Sequence, residues 1–302
     1  PGLSRAFRGE IPPQAVVLAD GEAAGVVPRG SPAYLSFLPS ALPYRLLDPG
    51  ASVLQLGLRG TEGVLAAAAG GAASVTVVEP ARELQALVER DLRAFSGGWP
   101  AGVRGGVRPE SGRAFLAREG RHFDLVELAD VSSATFASLG VHAAGESFLL
   151  TRQGLGAALD RAGPRGLLAF TGWLKSPPRE SVKLLRTVRA ALEAEGLPAA
   201  DRVMLVRGWG TFAAVARRTP FGEAELERAR GFCREMGFEL VWPPGAAAAS
   251  GEERALAEAV AEALAGSGGR GSRLFDLAVT GDDSPYFHRF LRPGALPEFR
   301  RA

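Results

Sequence analysis

The 302-residue chain is poor in chemically versatile side chains: it has one cysteine, two methionines, three histidines and three tyrosines. A lone cysteine cannot close an internal disulfide, so cross-links do not hold this fold, and a reducing compartment suits it. In "RARGFCREMGF" the helical pattern sets Cys233 beside Phe232 and Met236, which reads as a small core residue rather than a nucleophile. His122, His142 and His288 are scattered, with no Cys or His at metal-ligand spacing, so no metal is expected. No apolar run reaches the roughly 18 residues that a membrane span requires. Lysine is almost absent: Lys175 and Lys183 are the only two among 35 basic residues. Net charge is +2, and no run of five or more basic residues occurs, which argues against nucleic acid as a partner. The chain opens on Pro1 without a methionine or a signal-like stretch, which reads as a cut or processed piece of something longer, and the location expected for the domain is cytoplasmic.

What is present is an apolar, regularly punctuated chain, 46% hydrophobic and 23% charged. "QAVVLADGEAAGVVP" has two short apolar runs about Asp20-Gly21, the signature of a β-hairpin. A helical stretch over Leu35 to Leu47 closes at Asp48-Pro49-Gly50. From "SVLQLGL" onward, strands and helices alternate: "SVTVVEP", "GVRGGVRPE", "HFDLVELAD" and "RGLLAFTGW" read as strands, with helices such as "ARELQALVERDLRAF" between them. Continuous apolar strands of this kind belong to a parallel sheet covered on both faces. "DRVMLVRG" and "TFAAVARR" are separated by too few residues for a crossover and must be antiparallel. The expected fold is α/β, a Rossmann-like, doubly wound, mostly parallel sheet ending in an antiparallel hairpin. An N-terminal β-hairpin and helix extension (residues 1–49) precedes the sheet domain (50–220), and a C-terminal, largely helical α/β appendage (221–302), with "FELVW" as its strand, follows it.

In such sheets, ligands bind beyond the carboxyl ends of the strands where strand order reverses. Gly57, Gly60 and Gly63 fill the first strand-to-helix turn, where missing side chains let a ligand approach the backbone. Glu79 ends the next strand, 22 residues after Gly57, the spacing at which an acid meets ribose hydroxyls. The competing reading is a plain tight turn with Glu79 facing water. Arg59 stands where the G-x-G-x-x-G fingerprint has its second glycine, so a mononucleoside fits better than a dinucleotide.

"LPYRLL", "VTVVEP", "SGRAFL", "FDLVELAD", "GESFLLT", "PPRESVKLL" and "DDSPYFHRF", in this order, resemble the spermidine synthase-like family, in particular the soluble domain of its long, membrane-fused bacterial members. The resemblance implies a class I adenosylmethionine-dependent transferase fold. It further implies S-adenosylmethionine or its decarboxylated form as co-substrate, a small amine acceptor such as a polyamine, and a homodimer. Carried over, Gly57, Leu58 and Gly60 line the amino-acid-derived end of the co-substrate, Glu79 binds the ribose, and Glu110, Ser111 and Gly112 reach the adenine. Asp130 and Glu127 fall where the family has its catalytic aspartate, and Glu146 in the next loop lines the same pocket. The chain departs from the pattern at Arg59, where the family has glycine; at Ser111, where it has aspartate; and at Ala129, one position before Asp130. Two alternatives follow from those departures: a non-catalytic nucleoside-sensing or interaction domain, and a methyltransferase. Of the remaining residues, Arg113 is expected to pair locally, Arg179 and Glu180 to start a helix, Asp282 and Asp283 to form a turn, and Trp173, Trp209 and Trp242 to pack.

Overall fold

A computed structural model describes residues 2–19, 22–30, 32–129, 145–243, 251–266 and 274–292. Strands β1 (Gln14–Ala19) and β2 (Glu22–Pro28) pair antiparallel as the expected hairpin. The stretch read as one helix over 35–47 is instead two 3-10 turns, Ala33–Phe37 and Pro39–Ala41, followed by the short α1 (Leu42–Leu46). Pro39 and Pro43 have no N–H to give a continuous helix, but each is suited to a first helical position.

Beyond Gly50 the alternation holds. Strand β3 (Ser52–Leu56) leads to α2 (Glu62–Ala69), β4 (Ser74–Val78) to the helical stretch 82–96, and β5 (Arg104–Arg108) to α5 (Gly112–Arg118). The stretch Ala81 to Phe95, expected as one helix, is instead covered by α3 (Arg82–Ala86), a π turn (Leu87–Asp91) and α4 (Arg93–Ser96). Then come β6 (Leu125–Leu128), α6 (Arg152–Ala162), β7 (Leu167–Trp173) and α7 (Glu180–Glu193). The antiparallel pair β8 (Val203–Arg207) and β9 (Thr211–Ala216) follows, then α8 (Glu223–Met236), β10 (Glu239–Trp242) and α9 (Glu252–Ala265).

The main sheet has the order β10-β8-β9-β7-β6-β3-β4-β5. Strands β3 to β7 are mutually parallel, while β9 is antiparallel to β7 and to β8. The C-terminal stretch thus adds its own strand, β10, to this sheet. Val53, Leu54, Gln55 and Leu56 are all buried because helices cover both faces. On one face Leu54, Val126 and Leu168 pack against α6 and α7. On the other, Val53, Val75 and Leu125 pack under α1, α2 and α8. Full burial of each such side chain contributes about 2 kcal/mol. No described helix is long and apolar enough to cross a membrane.

Candidate adenosyl-binding site

Strand order reverses between β3 and β6, so the carboxyl ends of β3, β4 and β6 open the crevice. Gly57 leaves β3 with φ +97°, a left-handed conformation that favours glycine, and its amide donates to the Val78 carbonyl at 2.9 Å. A Cβ at Gly57 would have only the Ala129 methyl as neighbour, at 3.6 Å, so this turn is open at Gly57. Glu79 is 8% exposed. Its Oε2 accepts from the Leu58 amide and its Oε1 from the Ala81 amide, both at 2.8 Å. Gln85 Nε2 steadies the Glu79 carbonyl at 2.5 Å. A carboxylate has about four acceptor positions, so two backbone donors leave capacity for a diol.

The other two glycines serve the chain itself. Gly60, at φ +139°, lies under β2, where a Cβ would overlap the Val26 carbonyl; the Thr61 amide donates to that same oxygen at 3.1 Å. Across this seam a Cβ on Gly25 would overlap the Arg59 carbonyl. The N-terminal hairpin is therefore sealed, backbone to backbone, onto the loop, and the Arg59 side chain is exposed. A Cβ at Gly63 would lie 2.6 Å from Gln55 Oε1, so this glycine brings α2 down onto β3. Spacing alone groups the three glycines, but only Gly57 fronts open space.

Ser111 caps α5, its Oγ accepting from the Ala114 amide at 3.2 Å. Glu110 pairs with Arg118, and Gly112 is buried against Leu149. Glu146 is exposed, just before the 3-10 turn Phe148–Leu150. Asp130 lies outside the described residues. Glu127 is not in a loop: it sits within β6, paired in register with Gln55 of β3 and 7% exposed. Tyr44 of α1 donates to its Oε2 at 3.2 Å. Burial pushes the Glu127 carboxyl up to about 7 against the smaller opposing effect of that hydrogen bond. Its partner Tyr44 belongs to α1, so this side chain reaches the α1 face of the sheet.

Three groups escaped the sequence reading. Asp282, expected to form a simple turn, accepts from Arg113 Nη2 at 2.7 Å and from Thr151 Oγ1 at 2.5 Å, joining the first turns of α5 and α6. Arg179 and Glu180 do start α7, but they are buried with Lys183 beneath segment 274–292. Lys183 donates to the Arg289 carbonyl at 3.3 Å and lies 5.0 Å from the Phe290 ring, and burial pushes its amine down to about 8. Trp209, expected to pack, is 80% exposed with Arg5 over its ring. Each partner is distant in sequence, so no local signal marks the pair. Cys233 is buried as expected, its thiol pushed up to about 12. Among the described residues, no three His, Cys, Asp or Glu side chains come together in a way that could hold a metal ion.

The mostly parallel sheet, its switch point between β3 and β6 and the closing antiparallel hairpin make a Rossmann-like fold of the methyltransferase kind. No protein-family model matches the chain, and no curated protein sequence is significantly similar. Solved structures are similar in fold. A probable spermidine synthase from Corynebacterium glutamicum ATCC 13032 is 13% identical over 76% of this chain and 83% of that one, with a TM-score of 0.51. A spermidine synthase in complex with the transition-state analogue AdoDATO is 15% identical over 83% and 79%, with a TM-score of 0.48. Human methyltransferase-like protein 13 in complex with SAH is 19% identical over 68% and 90%, with a TM-score of 0.42. At 13% identity the likeness to the Corynebacterium glutamicum protein is one of fold alone.

Proposed function

We propose that the chain is a transferase that binds S-adenosylmethionine or its decarboxylated form and transfers an aminopropyl group to a small amine. The observation that carries this reading is the Glu79 carboxylate, buried at the switch point and tied to the Leu58 amide of the loop after β3. Its spare acceptor positions suit the two ribose hydroxyls, and Gly57 leaves room for the ligand's amino-acid-derived end. Ser111, exposed at the start of α5, is at hand for the adenine.

The co-substrate supplies an electrophilic carbon bonded to a sulfonium sulfur. Attack by the acceptor amine forms the N–C bond and breaks the C–S bond, the electron pair staying on sulfur as a neutral thioether. The chain has to hold the amine in line and accept its proton. Glu146 and Asp130 are the carboxylates assigned to these tasks, as anchor and proton acceptor. Glu127 is left out because it is enclosed within the sheet.

A second reading rests on a separate observation: the chain itself occupies the Leu58 and Thr61 amides of the loop. A non-catalytic nucleoside-binding domain would have this arrangement too. One assay separates the readings. The protein is incubated with decarboxylated S-adenosylmethionine and putrescine, or with S-adenosylmethionine and the same amine, and the nucleoside product is identified. Methylthioadenosine formed in the first mixture supports aminopropyl transfer, and S-adenosylhomocysteine formed in the second would replace it with methyl transfer. Binding without turnover in either mixture would leave the non-catalytic reading.

A further inference from the structure

On the α2 side of the sheet, behind the glycine loop, lies a cavity of about 400 Å3 that the proposed chemistry does not use. This is near the small end of the roughly 300–1,000 Å3 typical of ligand cavities. Its apolar wall is Leu58, Val64, Val88 and Trp99. Leu58 and Val64 belong to the apolar cluster beneath α1 and α2.

Three polar groups stand on its walls, Thr61 buried and Glu89 and Arg93 exposed. Thr61 is 8% exposed, and its Oγ1 has no hydrogen-bond partner; it occupies the N-cap of α2 without capping it. A buried hydroxyl left unsatisfied is costly, which points to a partner supplied from outside the chain. The side chain of Arg93, at the start of α4, has no ion pair or hydrogen bond among the described residues. Its side chain folds toward Gly98 on the cavity wall, where a Cβ would lie 3.4 Å from Nε. Glu89 comes from the π turn Leu87–Asp91, a departure from α-helical winding of the kind that frequently accompanies functional sites.

We propose that this cavity binds a small apolar α-amino acid as its zwitterion. The carboxylate meets Thr61 Oγ1, Arg93 and the positive end of α2. The ammonium meets Glu89, and the side chain packs on Leu58, Val88 and Trp99. A cation and an anion flanking one apolar cavity match a ligand carrying both charges on one carbon better than a simple acid or amine.

The test is calorimetric titration of the full chain with L-leucine, L-methionine and L-phenylalanine. Alongside run 4-methylpentanoate, which lacks the ammonium, and 3-methylbutylamine, which lacks the carboxylate. At least one amino acid is expected to bind saturably and to raise the melting temperature, with both analogues weaker. Thr61→Val should weaken that binding about fivefold. Arg93→Gln, an exposed change that leaves the fold intact, should weaken it about tenfold. Absence of saturable binding by all three amino acids would overturn the proposal, as would an affinity unmoved in both variants or a carboxylate analogue that binds as tightly as the amino acid.

Discussion

Glu79 and Glu127 are two buried carboxyl groups on strands flanking β3, and their surroundings are opposite in kind. Glu79, at the edge, accepts two backbone N–H groups, one on each oxygen. Glu127, inside the sheet, has one long hydrogen bond from Tyr44 and is pushed up to about 7 by loss of water. The same residue type is thus an acceptor site in one place and a group tending toward its neutral form in the other. What separates them is strand register: the edge position has loop amides to face, and the interior position has a helix packed over it.

The largest expected effect falls on the interior group. Because the folded state raises Glu127 above its ordinary 4.5, the folded protein binds more protons than the unfolded chain between about 4.5 and 7. Stability attributable to this group is therefore greatest below that window, falls as pH rises through it and is level above it. Glu127→Gln removes this slope; at pH 8 it should be more stable than the parent by roughly 3 kcal/mol, and at pH 4 about equal, as read from urea melts at both pH values.

The next effect falls on the edge group: Glu79→Ala should weaken nucleoside binding by about 1–3 kcal/mol by leaving the ribose hydroxyls and the Leu58 amide without an acceptor. Isothermal titration checks it. Tyr44→Phe should cost about 1 kcal/mol and, by deleting the one interaction that lowers the Glu127 carboxyl, extend the falling limb of the stability curve to higher pH. Smallest is Ser111→Ala, which removes an exposed helix cap and should cost about 0.5–1 kcal/mol in thermal unfolding.

The sheet was legible because its strands are apolar on both faces and its helices recur between them; Ser52–Leu56, Ser74–Val78 and Leu167–Trp173 fall inside the stretches that composition alone marks. The short link between β8 and β9 leaves no room for a crossover and so dictates their antiparallel sense. The site was legible only as far as its chain-local parts. Gly57 and Glu79 stand at the ends of strands, which sequence can locate. Gly60 and Gly63 share the same spacing but are filled by β2 and Gln55, and nothing in the loop tells which glycine fronts open space. Glu127 near the end of "FDLVELAD" could face either side until β6 was set in register with β3, and its partner Tyr44 is 83 residues away. Asp282 likewise gains its meaning from Arg113, 169 residues earlier. The π turn at Leu87–Asp91 leaves no compositional mark, because a helix that winds one residue wide uses the same side chains as one that does not.

The most direct measurement is a parallel titration of methylthioadenosine into the parent protein, Glu79→Ala and Glu127→Gln at one pH. The account predicts saturable binding to the parent, an affinity unchanged within error in Glu127→Gln, and a loss of about tenfold or more in Glu79→Ala. Equal binding by the parent and Glu79→Ala, or loss confined to Glu127→Gln, would contradict the assignment of the edge carboxylate to the nucleoside.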